Sequence, residues 1–310
     1  MKDRKTMGLI LTIGGGICWG ISGCFAEYLF QDKGINAEWL VSVRMVCAGL
    51  LLILLGLLKT KGEMFHVFHN KKDRKVFLSF AIFGMLACQY TYFAAIAHSN
   101  AGTATVLQSL APVLVLMLLC LRQKRVPKGI EAIAIACALM GTFLLSTHGD
   151  ITTMTLSKAG LFFGLAAAVS VTIYNMLVGD IINKYGVYAT VGFAMSLAGL
   201  VMSIVVRPWR TVVVWDTGTI LAVVGVVVIG TALAFSLYLK GLSIVGPFVG
   251  TVLGSVEPVT AIIISLLFLD SNFIWIDLVG FALILGTVLM LSLKEKRGAD
   301  TYESADGEAL

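Results

Sequence analysis

The sequence predicts an all-α membrane protein: ten transmembrane helices arranged as two inverted five-helix repeats around a central cavity. Three observations predict it. The 310-residue chain is 58% hydrophobic and only 13% charged, where a soluble domain carries about 25% charge, and its mean hydropathy is +0.93. Ten stretches approach or exceed the roughly 20 apolar residues a spanning helix needs. And nine residues recur: Thr105-Val106-Leu107-Gln108-Ser109-Leu110-Ala111-Pro112-Val113 returns, 146 residues later, as Thr251-Val252-Leu253-Gly254-Ser255-Val256-Glu257-Pro258-Val259, with six of nine positions identical.

The predicted spans are 7–30, 38–58, 76–97, 101–121, 130–147, 159–180, 187–206, 219–240, 246–269 and 274–293. The first follows Lys2, Arg4 and Lys5, is longer than a signal-peptide core and lacks a small-x-small cleavage site, so it reads as an uncleaved span. The basic loop 59–75 carries Met64, Phe65, Val67 and Phe68 and is expected to lie on the membrane surface. The polar, acidic tail 294–310 is expected to be a disordered cytoplasmic segment. With a cytoplasmic N-terminus, 18 of the 23 lysines and arginines fall in inner segments, 4 in outer loops and one, Arg44, inside a span. That bias places both termini in the cytoplasm. It also accounts for the net charge of +5 without any nucleic-acid partner.

The repeat extends beyond its nine residues. Gly84 and Tyr92 match Gly230 and Tyr238; Gly141-Thr142 matches Gly286-Thr287; Ala48-Gly49-Leu50 matches Ala198-Gly199-Leu200. The unit is five helices, giving domains 1–148 and 149–293. Five is odd, so the second copy enters the membrane inverted, and a central site is then open to exposure on either side.

Charges within spans are costly and mark function. Arg44 in span two carries the planar fork that grips carboxylates. Glu27, near the outer end of span one, lies at similar depth. An Arg44–Glu27 ion pair and an Arg44 that binds substrate are alternative readings, as is an Arg44 that snorkels outward. Glu257, halfway along span nine, is placed for proton coupling, or for gating and structure beside the kink that Pro258 imposes; Pro112 marks the same kink in span four. Trp19, Gln89, Tyr92, Gln108, Tyr174, Asn175 and Tyr238 supply the sparse polar and aromatic groups of a small-molecule cavity, though each also fits helix-to-helix bonding. Gly16 and Gly20 in span one, and Gly246, Gly250 and Gly254 in span nine, mark close helix approach, as static packing or as a sliding surface.

The six cysteines fall in apolar spans without a Cys-x-x-Cys pair, which reads as small buried hydrophobes. His66-x-x-His69 lacks a third metal ligand, and His98 reads as interfacial. No phosphate loop, nucleophile elbow or His-Glu-x-x-His motif is present. The expectation is therefore no metal, no cofactor and no enzyme.

Trp19-Gly20, Arg44, Pro112-Val113, Glu257-Pro258-Val259, the Gly-Thr pairs of spans five and ten and the five-plus-five repeat make the chain resemble the drug/metabolite transporter superfamily, in its ten-helix EamA-type branch, over nearly its whole length. It departs where Glu27-Tyr28 replaces a basic residue near the end of span one, and where Leu269-Asp270-Ser271 stands for Leu-Gly-Glu. The resemblance implies a bacterial-type inner-membrane carrier, without ATP hydrolysis, that exports a small metabolite such as an amino acid. Drug or nucleotide-sugar carriage within the superfamily is the alternative, and a lipid-modifying membrane enzyme a more distant one. The expected partners are a small-molecule substrate and the lipid bilayer; a homodimer stays open.

Overall fold

A computed structural model of the protein describes residues 2–60, 63–68, 70–127, 129–150, 155–245, 250, 253–269 and 271–307, and every regular element among them is helical. Helix α1 is Lys2–Gln31 and α2 is Ala37–Thr60. Helix α3 spans Lys71–His98 and contains a π-helical stretch, Phe80–Leu86. Helix α4 spans Ala101–Arg122 and is broken after Gln108. Helix α5 is Ile130–Thr147. The helical run Lys158–Val206 divides at Gly186, whose φ of 78° leaves the helical region; we call 158–185 α6 and 187–206 α7. Helix α8 covers 217–245, with a second π-helical stretch at Gly225–Leu233. Helix α9 is Val256–Phe268 and α10 is Trp275–Gly307.

Seven helices among the described residues have the length and hydropathy of a membrane span, and three shorter apolar ones (Lys158–Tyr174, Val256–Phe268 and Trp275–Leu291) occupy the positions of spans six, nine and ten. Contacts at the helix ends fit alternate crossing. Lys33, after α1, meets Asp216, before α8. Trp39 Nε1 donates to Pro208 O at 3.2 Å, and Ser157 Oγ to His98 O at 2.7 Å. These join odd-numbered connections to one another. Lys184 meets Asp73, and Lys59 Nζ donates to the Tyr188 hydroxyl at 2.7 Å; these join even-numbered ones.

Helix packing follows the repeat. Helix α1 packs on α8 and α9, as α6 packs on α3 and α4, while α2 pairs with α7, α4 with α9 and α5 with α10. Shifting every helix by five maps this set of pairs onto itself. The details repeat as well. The π-helical stretches coincide when shifted by the repeat. Ser109 (φ −65°, ψ −4°) and Ser255 (φ −64°, ψ −4°) break their helices with the same geometry. The physical cause lies downstream: Pro112 and Pro258 have no N–H, so the carbonyl one turn back loses its partner and the helix yields there. The repeat mates Gly49 and Gly199 sit at the α2–α7 crossing. A Cβ on Gly49 would lie 2.5 Å from the Ser196 backbone nitrogen, and one on Gly199 2.6 Å from that of Val46.

Two expectations are corrected. Met64 and Val67 do not lie on the membrane surface; both are buried, on a 3₁₀ turn, Glu63–Phe68. Met64 packs at Gly56, and the exposed Phe65 makes a tilted contact with Phe193, ring centroids 5.3 Å apart. Burying those two side chains against protein removes more apolar surface than a flat interfacial pose. The tail is helical as far as Gly307, because residues such as Lys294, Glu295, Lys296, Arg297 and Ala299 favour helix and extend one already nucleated. The six cysteines are free thiols, with Cys47 exposed and Cys18, Cys24 and Cys120 buried. His98 stacks on Phe163 at 5.6 Å, and His69 lies outside the described residues.

Gly49→Ala should lower the thermal stability of the detergent-solubilised protein by about 1–3 kcal/mol, the usual cost of overpacking. Gly286→Ala, with no packing neighbour among the described residues within 4 Å of the new methyl beyond its own helix, should leave the melting curve nearly unchanged.

Candidate functional site

Helices α1, α2, α3, α4, α6 and α8, with Glu257 at the start of α9, enclose a cavity of about 390 Å³, within the range of small-molecule sites. Trp19, Arg44, Gln89, Tyr92, Gln108, Tyr174, Tyr238 and Glu257 all line it. The sequence singled out these eight from different spans, and the fold gathers them in one place. Asn175 is helical, but its side chain lies outside the described residues. Pro112 and Pro258 are not in the cavity wall; they stand just beyond the helix breaks at its margin.

Most of these side chains are held by neighbours. Trp19 packs between Phe235, at 5.3 Å, and Tyr238, at 4.8 Å. Tyr92 shares a 2.9 Å hydrogen bond with Thr105, and its repeat mate Tyr238 donates to Gly250 O at 3.2 Å. Tyr174 packs in a tilted contact on Phe80, ring centroids 5.0 Å apart. These contacts fix aromatic rings around the cavity before any ligand enters.

Arg44 is the principal buried cation. Its Nη1 donates to Gln89 Oε1 at 2.5 Å, its Nη2 reaches Gly230 O at 3.4 Å, and its guanidinium lies 4.6 Å over the Phe93 ring. Gly230 belongs to the second π-helical stretch, where widened turns free carbonyls from the helix ladder. The Arg44 Nε is buried and finds no acceptor among the described residues. A guanidinium donor left unmet at this depth is costly, and it is suited to a ligand that brings an anionic oxygen.

The expected Glu27–Arg44 ion pair does not form. Glu27 is fully buried, and its carboxylate accepts from Ala101 N–H at 2.8 Å, Ser265 Oγ at 2.7 Å and Ser271 Oγ at 2.7 Å. Similar depth did not mean the same side of the helix. Glu27 faces the N-terminus of α4, where unpaired N–H groups and the helix dipole favour a negative charge, whereas Arg44 faces α3 and α8. Its Ser271 partner follows Asp270, which lies outside the described residues.

The sequence reading missed Ser22, Met85, Cys88, Phe93, Val171 and Phe235 in the cavity wall. Helical phase carried the signal, because each lies three or four residues from a chosen one: Ser22 from Trp19, Phe93 from Gln89, Val171 from Tyr174, Phe235 from Tyr238. A second cavity, of about 460 Å³, lies between α1, α8 and α9, lined by Ile21, Phe25, Leu221 and Phe268 among others and, among the described residues, by no charged group. Its chemistry does not orient a polar ligand.

The family model for EamA-like transporters matches the chain twice, over residues 6–147 and 158–293. The chain belongs to the EamA-like transporter family. It is 35% identical over 292 residues to the "uncharacterized inner membrane transporter YicL" of Salmonella typhimurium, covering 94% of this chain and 97% of that protein. It is 26% identical over 222 residues to an "uncharacterized transporter" of Archaeoglobus fulgidus, covering 71% and 77%. A solved crystal structure matches with a TM-score of 0.61 at 15% identity, covering 96% of this chain and 99% of that one, which bears on the fold alone. This EamA-like protein is thus a multi-pass membrane transporter, and its cavity draws residues from both matched segments.

Glu27→Ala should destabilise this EamA-like protein by about 1–3 kcal/mol, because it strands a buried amide and two hydroxyls. Glu27→Gln keeps one acceptor oxygen and should fall between the two in thermal unfolding.

Proposed function

We propose that this EamA-like transporter is a secondary carrier that exports a small metabolite bearing a carboxylate, such as an amino acid, by alternating access. One observation carries the reading. The buried Arg44 presents an unmet Nε donor in a cavity whose wall also holds Glu257, two glutamines and a ring of aromatic side chains. Arg44 grips the carboxylate through its fork; Gln89 and Phe93 hold the guanidinium in place; Trp19, Tyr92, Tyr174 and Tyr238 bind the body of the substrate. Glu257 exchanges a proton or receives the substrate's ammonium group. Gln108, one turn before Pro112, supplies a further amide.

The two five-helix halves are inverted, since each crosses the membrane an odd number of times, and they rock about the cavity. Both termini face the cytoplasm of a cell with a bacterial-type inner membrane, as the distribution of lysine and arginine directs. The protein works without ATP, cofactor or metal.

The test is counterflow in proteoliposomes. Vesicles preloaded with unlabelled amino acid should take up the labelled form saturably, and a lack of saturable uptake across a panel of carboxylate-bearing metabolites would refute the reading. Arg44→Lys keeps the charge and loses the fork, so it should weaken apparent affinity about ten- to hundredfold. Glu257→Gln should retain counterflow and lose acceleration by an imposed pH gradient; a fully retained response removes Glu257 from proton coupling.

A further inference from the structure

Two ion pairs stand at opposite ends of the molecule, at or just beyond helix ends and apart from the cavity. At one end Lys33 Nζ donates to Asp216 Oδ2 at 2.6 Å, and Lys33 also lies 5.4 Å from the Tyr28 ring centroid. At the other end Lys184 donates to Asp73 Oδ2, the Tyr185 hydroxyl donates to the same oxygen at 2.6 Å, and Lys184 lies 5.1 Å from the Tyr185 ring centroid. Each latch is thus a lysine, an aspartate and a tyrosine.

The latches are related by the repeat. Lys33 follows α1 and Asp216 caps the start of α8, accepting from Thr219 N–H at 2.7 Å. Lys184 ends α6 and Asp73 sits in the first turn of α3. A shift of five helices carries the α1–α8 pair onto the α6–α3 pair, so one latch is the other's counterpart across the membrane. The match is not perfect: Asn70 caps α3 and leaves the ion pair to Asp73, whereas Asp216 performs both tasks for α8.

We propose that Lys33–Asp216 and Asp73–Lys184 are the two gates of the carrier, one on each membrane face, opened in turn as the α1–α8 or the α6–α3 ends separate. This rests on the carrier reading and adds to it the residues that close each side. Helices α1, α3, α6 and α8 all line the cavity, so parting either pair at its end gives access from that face. Both pairs are formed in this structure. Side-chain exposure is 24% and 46% for Lys33 and Asp216, and 53% and 21% for Lys184 and Asp73. Pairs this exposed are weak, which suits contacts that must break in every cycle.

Neither gate is a pH switch in the physiological range. The Lys33 ammonium, then the Thr219 N–H, hold the Asp216 carboxyl down at about 2, and Asp216 in turn raises Lys33 above its ordinary value. Lys184, then Tyr185, likewise lower Asp73, and Asp73, then Tyr185, raise Lys184. A lowered carboxyl loses its pair only as pH falls through its lowered value, and a raised ammonium only as pH rises through its raised one. Both pairs stay charged in between.

Cys88 lines the cavity and reports access. Its labelling by a membrane-impermeant maleimide, read by mass spectrometry, is compared in right-side-out and inside-out vesicles. Lys33→Ala or Asp216→Asn should raise labelling about two- to fivefold from the Lys33 face only; asparagine keeps the helix cap. Lys184→Ala or Asp73→Asn should do so from the opposite face only. Within each pair the double variant should exceed neither single one, and Lys33→Arg should behave as native. Equal change from both faces, no change, or additive singles would overturn the gates. Counterflow by the native protein in the same vesicles separates the readings: if it is absent, the carrier reading fails; if it is present with labelling insensitive to these variants, only the gates fail.

Discussion

Helices α2 and α7 cross at Gly49 and Gly199, so closely that a methyl group on either would fall within 2.6 Å of the facing backbone. Lipid offers no hydrophobic drive for one apolar helix to leave it for another, so association depends on close packing and on polar contacts. This crossing supplies the packing, and it lies between repeat-related glycines, where the two halves of the chain meet. Arg44 leaves α2 just before it; Met45 and Val46 are the residues that touch Gly199. The crossing therefore fixes the depth and direction of the guanidinium. Gln89, Gly230 and Phe93 then need only meet an arginine that is already placed.

The same frame makes departures from symmetry informative. Ser109 and Ser255 break their helices with matching dihedrals, yet Gln108 precedes one break where Gly254 precedes the other, and Ala111 follows one where Glu257 follows the other. The backbone device is common to both halves and the chemistry is not. Close packing limits which way that carboxylate can face. Gly16 and Gly20 bring α1 against the Glu257 backbone: a Cβ on Gly20 would lie 2.7 Å from Glu257 O. The chain is thus crowded behind Glu257 while its side chain lines the cavity.

Residue type and depth made much of the site legible. A rare charge, amide or tyrosine in an apolar span is expensive to keep, so Arg44, Gln89, Tyr92 and Glu257 stand out from sequence alone. The prolines announced the helix breaks through a local rule about a missing donor. What the sequence hid is non-local or azimuthal. Depth placed Glu27 beside Arg44, but the side of the helix it faces depends on how α1 is rotated, and that is set by glycines packing against α8 and α9. The partners of Glu27 come from three separate segments, so no spacing rule unites them. The π-helical stretches carry no proline and read as ordinary apolar helix. Lys33, Asp73, Lys184 and Asp216 vanished among loop charges, because a count that sets sidedness treats every lysine alike.

Buried and exposed polar contacts divide the labour by their strength. The Glu27 cluster has three donors on one carboxylate away from water, where leaving any donor unpaired is costly; such a cluster suits a joint that stays closed. The lysine–aspartate latches are hydrated and weak; such pairs suit joints that open. Arg44 belongs to neither class. Two of its five N–H donors meet protein acceptors, and its Nε meets none among the described residues. A fully satisfied guanidinium would gain little from a ligand, and an unsupported one would cost too much to hold at this depth. Partial satisfaction lowers the cost of holding the charge at this depth and leaves a donor that an anionic oxygen would satisfy.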